Sequence, residues 1–390
     1  MLKRLPVFVL ALCLLSPALK AQEAADSLSL APDGVTIAGA DTLLLASAVS
    51  DEVLMERLAA MNPYFSLPFN TTVRNYMVSY SEKRGETMKR AMKVSSYYFP
   101  IFEETFRRHN LPLELKYLAV VESMLNPTAL SRAGAMGLWQ FMYRTARIYG
   151  LKIDSFVDER MDVEKSTEAA ARYLGYLYNM FGDWPLAISA YNCGSGNVRK
   201  AIQRAGGKRD FWSVYPYLPR ETRGYMPAFV GAMYAFNYTA GDGQDSSSVY
   251  VPAQVDTFEI HKNLHLMQIS ETIGVPLDEL KYLNPKYYRD IIPGDSGSCT
   301  LILPEYWTEA YLAVEPDSLY AHNASVYLSE KVLKDLAAGK QEGSGKVYTV
   351  RSGDTLSHIA KRHGVSVKQL MQWNHLRSDR LSIGQKIYIY

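Results

Sequence analysis

Between residues 51 and 238 apolar positions recur every three or four residues instead of alternating, which predicts a domain that is helical nearly throughout. Leu111, Leu115, Leu118 and Glu122 fall on one such stripe, in steps of four, three and four, so an acidic residue occupies a core-facing position at the end of an apolar run. Asn126-Pro127 should stop that helix, because the residue before proline is pushed out of the α region. Asp162 is placed to cap a helix carrying Ala169, Tyr173, Leu177 and Phe181, which Gly182 ends. Asp183-Trp184-Pro185 opens another, broken at Gly194–Gly196.

Beyond this domain the pattern changes. Ile260, Leu266, Ile269, Gly274-Val275, Leu280 and Asn284 line up, at a constant offset of 90, with Val350, Leu356, Ile359, Gly364-Val365, Leu370 and Asn374. Such an offset is expected of two copies of one small module. In the second copy Val347–Val350 and Ile387–Tyr390 read as strands flanking two short helices, the first capped by Asp354 and closed by Gly364, the second capped by Ser366. The expected architecture is therefore multidomain, a mainly α domain followed by βααβ modules. The expected division is a signal peptide (1–21), a flexible leader (22–49), the helical domain (50–238), a linker (239–250), the first module (251–305), a second linker (306–345) and the second module (346–390).

The chemistry concentrates between Val121 and Met142. A carboxylate on a core-facing stripe is desolvated, and near a helix C-terminus it meets the negative end of the macrodipole. Both effects favour its protonated form, as a general acid requires. Ser131 adds a hydroxyl, Gly134 and Gly137 allow close backbone approach, and Gln140 supplies an amide. Trp139 and Phe141 are expected to offer apolar faces to a polar cleft.

A formal net charge of +2 argues against a dedicated nucleic-acid binder. Lys3 and Arg4, the apolar run Leu5–Leu15 and Ala18–Gln22 have the three parts of a secretory signal, too short for a comfortable membrane span. The expected location is the periplasm or cell envelope. Cys13 lacks the small residue that precedes a lipidated cysteine, so a membrane anchor is the less favoured reading. Cys193 and Cys299 lie in different units and are expected to be free. No helical histidine pair in the helical domain has metal-ligand spacing, and no metal or cofactor is expected.

The run ESMLNPTALSRAGAMGLWQFM, followed in order by AYNCGSG (190–196) and ETRGYMP (221–227), resembles the catalytic domains of soluble lytic transglycosylases, which share a fold with goose-type lysozyme. Residues 158–174 resemble that family's intervening helix, and VYTVRSGDTLSHIAKRHGVSVKQLMQWN resembles a LysM domain. As a whole the chain is similar to the membrane-bound lytic murein transglycosylase D family. The resemblance implies a lyase that cleaves the bond between N-acetylmuramic acid and N-acetylglucosamine in peptidoglycan, leaving 1,6-anhydro ends, with Glu122 as sole acid and base. It implies substrate contacts from Ser131, Gln140, Met142, Tyr191, Asn192 and Tyr225. It also implies N-acetylglucosamine binding at Gly353, Asp354, Thr355 and Asn374 of the LysM domain, in a monomer. The first copy replaces the SGDT-type turn with His261-Lys262-Asn263 and carries a longer loop at Lys286–Cys299, leaving open whether it binds sugar or serves packing. A hydrolase using the same glutamate, or a non-catalytic wall-binding scaffold, remain the alternatives.

Overall fold

The computed structural model describes residues 44–389, apart from 62–64, 66–67, 240–250, 253, 339–345, 352, 364–366, 368–369, 372–373, 375 and 377. The expected signal peptide, Cys13, most of the leader and of the 239–250 linker, Gly364 and Ser366 lie outside the described residues.

The first unit is helical, as its periodicity predicts. Its helices are α1 (Asp51–Ala60), α2 (Thr71–Val78), α3 (Gly85–Arg108), α4 (Tyr117–Ser123), α5 (Tyr143–Ile148), α6 (Val163–Phe181), α7 (Trp184–Cys193), α8 (Ser195–Arg204), α9 (Phe211–Val214), α10 (Arg220–Arg223) and α11 (Tyr225–Tyr238). Helix α11 is apolar on every side and buried from Tyr225 to Ala235, so it forms the axis of the core. Gly231 lets it approach α2, since a Cβ there would lie 2.7 Å from Tyr76 O. The expected caps form: Asp162 accepts from Lys165 N and Asp183 from Leu186 N, each at 2.9 Å. Gly182 takes the left-handed conformation (φ 66°) that ends α6.

Four expectations about this unit need correction. Helix α4 ends at Ser123, before Asn126-Pro127, because Met124 and Leu125 already adopt φ of 50° and 57°. Burial of both side chains holds this otherwise unfavourable backbone. Trp139 and Phe141 are core, not cleft. Trp139 is fully buried between Phe102 and Phe106, at ring distances of 4.9 and 5.7 Å, and donates to Thr167 Oγ1. Residues 158–162 are a loop, with helix beginning at Val163. The end of the leader is tied to α2, where Leu45 N donates to Asn75 Oδ1 and Arg74 Nη1 to Leu45 O.

In the first module β1 (Val255–Ile260) pairs antiparallel with β4 (Cys299–Pro304), and β2 (Asn263–His265) with β3 (Ile291–Pro293). Helices α12 (Leu266–Ile273) and α13 (Leu277–Leu283) pack on them. The segment expected as a second linker is helical instead: α14 (Thr308–Leu312), α15 (Pro316–Ala321), α16 (Ala324–Tyr327) and α17 (Glu330–Ala337). Leu319 enters the module core, and Gln268 Nε2 donates to the carbonyls of Leu319, Tyr320 and His322, which binds this segment to α12.

The second module pairs β5 (Lys346–Thr349) with β6 (Lys386–Ile389) beside α18 (Leu356–His363). The repeat is structural. Ile260, Leu266, Ile269 and Leu280 are buried, and so are Val350, Leu356, Ile359 and Leu370. Asn284 Nδ2 donates to Leu280 O at 2.9 Å and Asn374 Nδ2 to Leu370 O at 2.8 Å, the same bond in both copies. The cap of α18 differs from expectation. Thr355 Oγ1 accepts from His358 N, while Asp354 accepts from Tyr348 Oη and Arg351 N and so secures the preceding turn.

Candidate active site

Helix α4 presents Glu122 at its C-terminal turn, with Leu115 and Leu118 of the same stripe fully buried and Leu111 partly so. Glu122 is partly buried, and among the described residues it has no ion-pair partner. Tyr225, the first residue of α11, donates its hydroxyl to Oε1. Burial pushes the Glu122 carboxyl up to about 7, against a smaller downward pull from the Tyr225 hydroxyl.

The surroundings are phenolic. Burial and the Glu122 charge hold the Tyr225 phenol well above its usual range, so it remains a donor at neutral pH. Tyr80, also buried, is pushed up to about 12, with Arg84 over its ring opposing the shift. Tyr191 spends its hydroxyl on Trp139 O, 2.8 Å away, and its ring stands against Tyr173 and Phe141.

Below α4 runs the loop 129–142, which hydrogen bonds stitch to itself. Met136 and Phe141 exchange backbone bonds at 3.1 Å, and Gly137 N reaches Ala129 O. Ser131 Oγ accepts from Ala135 N at 2.9 Å. Gln140, itself at φ 47°, donates to Ala129 O and Gly137 O. Ser123 Oγ lies within hydrogen-bond reach of Ala119 O and Leu138 O, tying the loop to the helix that carries Glu122. Leu130 and Met142 stand exposed along the loop, and Tyr143 at the start of α5.

The expected site residues are thus placed as follows. Tyr225, implied as a substrate contact, bonds to Glu122 directly. The side chains of Ser131 and Gln140 hydrogen-bond to the loop backbone. Asn192 is exposed at the end of α7, accepting from Thr222 Oγ1 at 2.9 Å, and Met142 is 46% exposed. In the second module Gly353 takes φ 86° in the turn before Asp354. The Asn374 amide donates to Leu370 O. Sequence reasoning missed Tyr80 and Ser123, whose roles depend on contacts with distant elements. Cys193 and Cys299 are free, as their separation suggested.

Residues 99–213, which hold Glu122 and the loop beneath it, match the Transglycosylase SLT domain, and this gives the helical unit its class. Residues 348–389 match the LysM domain, and 254–318 the family described as "Lytic transglycosylase MltD, LysM-like domain". The chain is 33% identical over 368 residues to membrane-bound lytic murein transglycosylase D of Escherichia coli K12, covering 93% of this chain and 74% of the relative. It belongs to the membrane-bound lytic murein transglycosylase D family. It is also 26% identical over 212 residues to the soluble lytic murein transglycosylase of the same strain, covering 51% of this chain and 31% of the relative. Against the crystal structure of the 70 kDa soluble lytic transglycosylase of Escherichia coli the TM-score is 0.32 at 22% identity, covering 44% of this chain and 34% of that one.

Proposed function

We propose that this protein is a lytic murein transglycosylase in which Glu122 alone serves as acid and then as base. Protonated Glu122 gives its proton to the glycosidic oxygen between N-acetylmuramic acid and N-acetylglucosamine, and the C1–O bond breaks. The carboxylate so formed removes the proton of the muramoyl C6 hydroxyl, whose oxygen bonds to C1. The product is a 1,6-anhydro end, no water is consumed, and Glu122 regains its proton. The observation that carries this reading is geometric: Glu122 sits at the end of a buried stripe, and among the described residues its carboxyl is held by the Tyr225 hydroxyl and by no ion-pair partner. Glycosidases of the two-carboxylate type need both groups beside the bond. Tyr225 supports the cycle as a donor, since a hydrogen bond to a charged acceptor is stronger than one to a neutral acid.

Within this reading Ser131, Gln140, Met142, Tyr191 and Asn192 face the glycan. The LysM domain holds N-acetylglucosamine through the turn at Gly353, Asp354 and Thr355, with Asn374 behind it. The protein acts as a monomer in the periplasm or cell envelope. No helix among the described residues is long and apolar enough to cross a membrane. Mass spectrometry of muropeptides released from purified sacculi tests the reaction type. Anhydromuropeptides, lighter by one water, are expected; reducing-end products alone would establish a hydrolase.

A further inference from the structure

The first module departs from the second mainly in its loop between Lys286 and Cys299, and that loop meets the catalytic domain, as does Tyr282 of α13, whose ring packs against Tyr97 and Tyr98. In the catalytic domain Asp154 Oδ1 accepts from Phe156 N and Val157 N, which folds residues 153–158 into a tight turn. The module adds a rung to it: Asp158 N donates to Lys286 O and Tyr288 N to Phe156 O, each at 2.9 Å, around a bridge between Val157 and Tyr287. Val157 is buried in the module core. Beside this rung Lys286 Nζ pairs with Asp162 Oδ2 at 2.7 Å, both nearly buried.

The same contact reaches the active-site loop. Asp158 is fully buried and pairs with Arg160, Nη2 to Oδ2 at 2.6 Å, while the hydroxyl of Tyr288 donates to that same oxygen at 3.0 Å. Arg160 Nη1 donates to Gly134 O at 2.9 Å and Phe141 O at 3.2 Å. Its backbone carbonyl lies against Gly137, where a Cβ would come within 2.0 Å of it. A buried ion pair holds one geometry only when its remaining donors and acceptors are satisfied. Here one of those donors comes from the module.

We propose that the first module is a positioning element for the loop 129–142, with Tyr288 as the positioning residue acting through Asp158 and Arg160. This rests on the reading of the Glu122 cleft as the active site. It gives the divergent copy a function other than glycan capture: it orders the loop that the substrate crosses, while the chemistry of Glu122 is untouched.

The test uses full-length protein, wild type against Tyr288→Phe, with Tyr327→Phe as control for a hydroxyl bound only within the module, to Glu271. Amide hydrogen exchange across residues 134–141 should quicken by about tenfold in Tyr288→Phe and not in the control, since one hydrogen bond to a charged group is lost. On a soluble glycan KM should rise about three- to tenfold, with the pH profile unchanged because Glu122 keeps its surroundings. Arg160→Lys, which keeps the charge but not the fork that spans Asp158 and both carbonyls, should loosen the same loop. Unchanged exchange at 134–141, or an increase spread evenly over both units, overturns the proposal. The exchange result decides it even if the protein proves to cleave nothing, which would instead count against the reading of Glu122.

Discussion

The hydroxyl of Tyr225 donates to Oε1 of Glu122 across the meeting of α11 and α4. The bond acts against burial, which raises the carboxyl, because it favours the charged form. Tyr225→Phe should therefore move the alkaline limb of activity to higher pH. It should also slow turnover roughly ten- to a hundredfold, because a hydrogen bond to a charged group contributes about 1.5–3 kcal/mol. A pH-rate profile of the folded variant checks both, and a limb moving to lower pH would mean that the phenol does not stabilise the carboxylate.

Glu122 has to be protonated to begin the reaction, and burial holds it up to about 7. Activity on a soluble glycan should persist in mildly acidic buffer and fall as pH rises through that value. An alkaline limb complete by about pH 5 would describe a solvated glutamate.

The same shift has a sign for stability. The folded pKa lies above the ordinary 4.5, so the folded state binds the proton more tightly. This contribution is fully present below 4.5 and is lost as pH rises through about 7. Glu122→Gln, which does not titrate, should therefore melt progressively higher than wild type as pH is raised from 5 to 8. Thermal unfolding at several pH values measures this, and a constant difference would place Glu122 in a solvated setting.

Asn284 fixes strand β4 of the first module, accepting from Ile302 N at 2.8 Å and donating to Ile302 O at 2.7 Å. Asn284→Ala leaves both groups without that partner and should cost about 2–4 kcal/mol of module stability. Denaturant unfolding of the full chain would register this as an earlier transition confined to the module.

Deleting residues 346–390 should weaken binding to intact sacculi much more than it slows cleavage of short soluble glycans. A tethered sugar-binding module raises local substrate concentration without entering the chemistry. Equal losses on both substrates would mean that the second module acts at the cleft itself.

The parts of this molecule that were legible in its sequence are those decided by neighbours along the chain. The caps Asp162 and Asp183, the stop at Gly182 and the buried stripe ending in Glu122 depend on residues within a few positions. The repeat was legible because each copy buries the same residues and closes the same asparagine bond. Where packing decides, the sequence misled. Proline at 127 marks a break, but two buried residues in left-handed conformation end α4 before it. Trp139 resembled a cleft aromatic and fills the core instead. The helices between Thr308 and Ala337 are too short to show a periodicity of their own. Tyr288 could not be connected with Asp158, because 130 positions separate them and only the docked module brings them together.

The central claim is that one carboxyl performs both halves of the reaction, and Glu122→Gln tests it most directly. The amide keeps the shape and the Tyr225 contact but has no proton to transfer. With circular dichroism and sacculus binding unchanged, release of anhydromuropeptides should fall by more than about a hundredfold, since both steps use the same group. Release within a few-fold of wild type by a correctly folded variant would contradict the assignment of Glu122 as the acid and base.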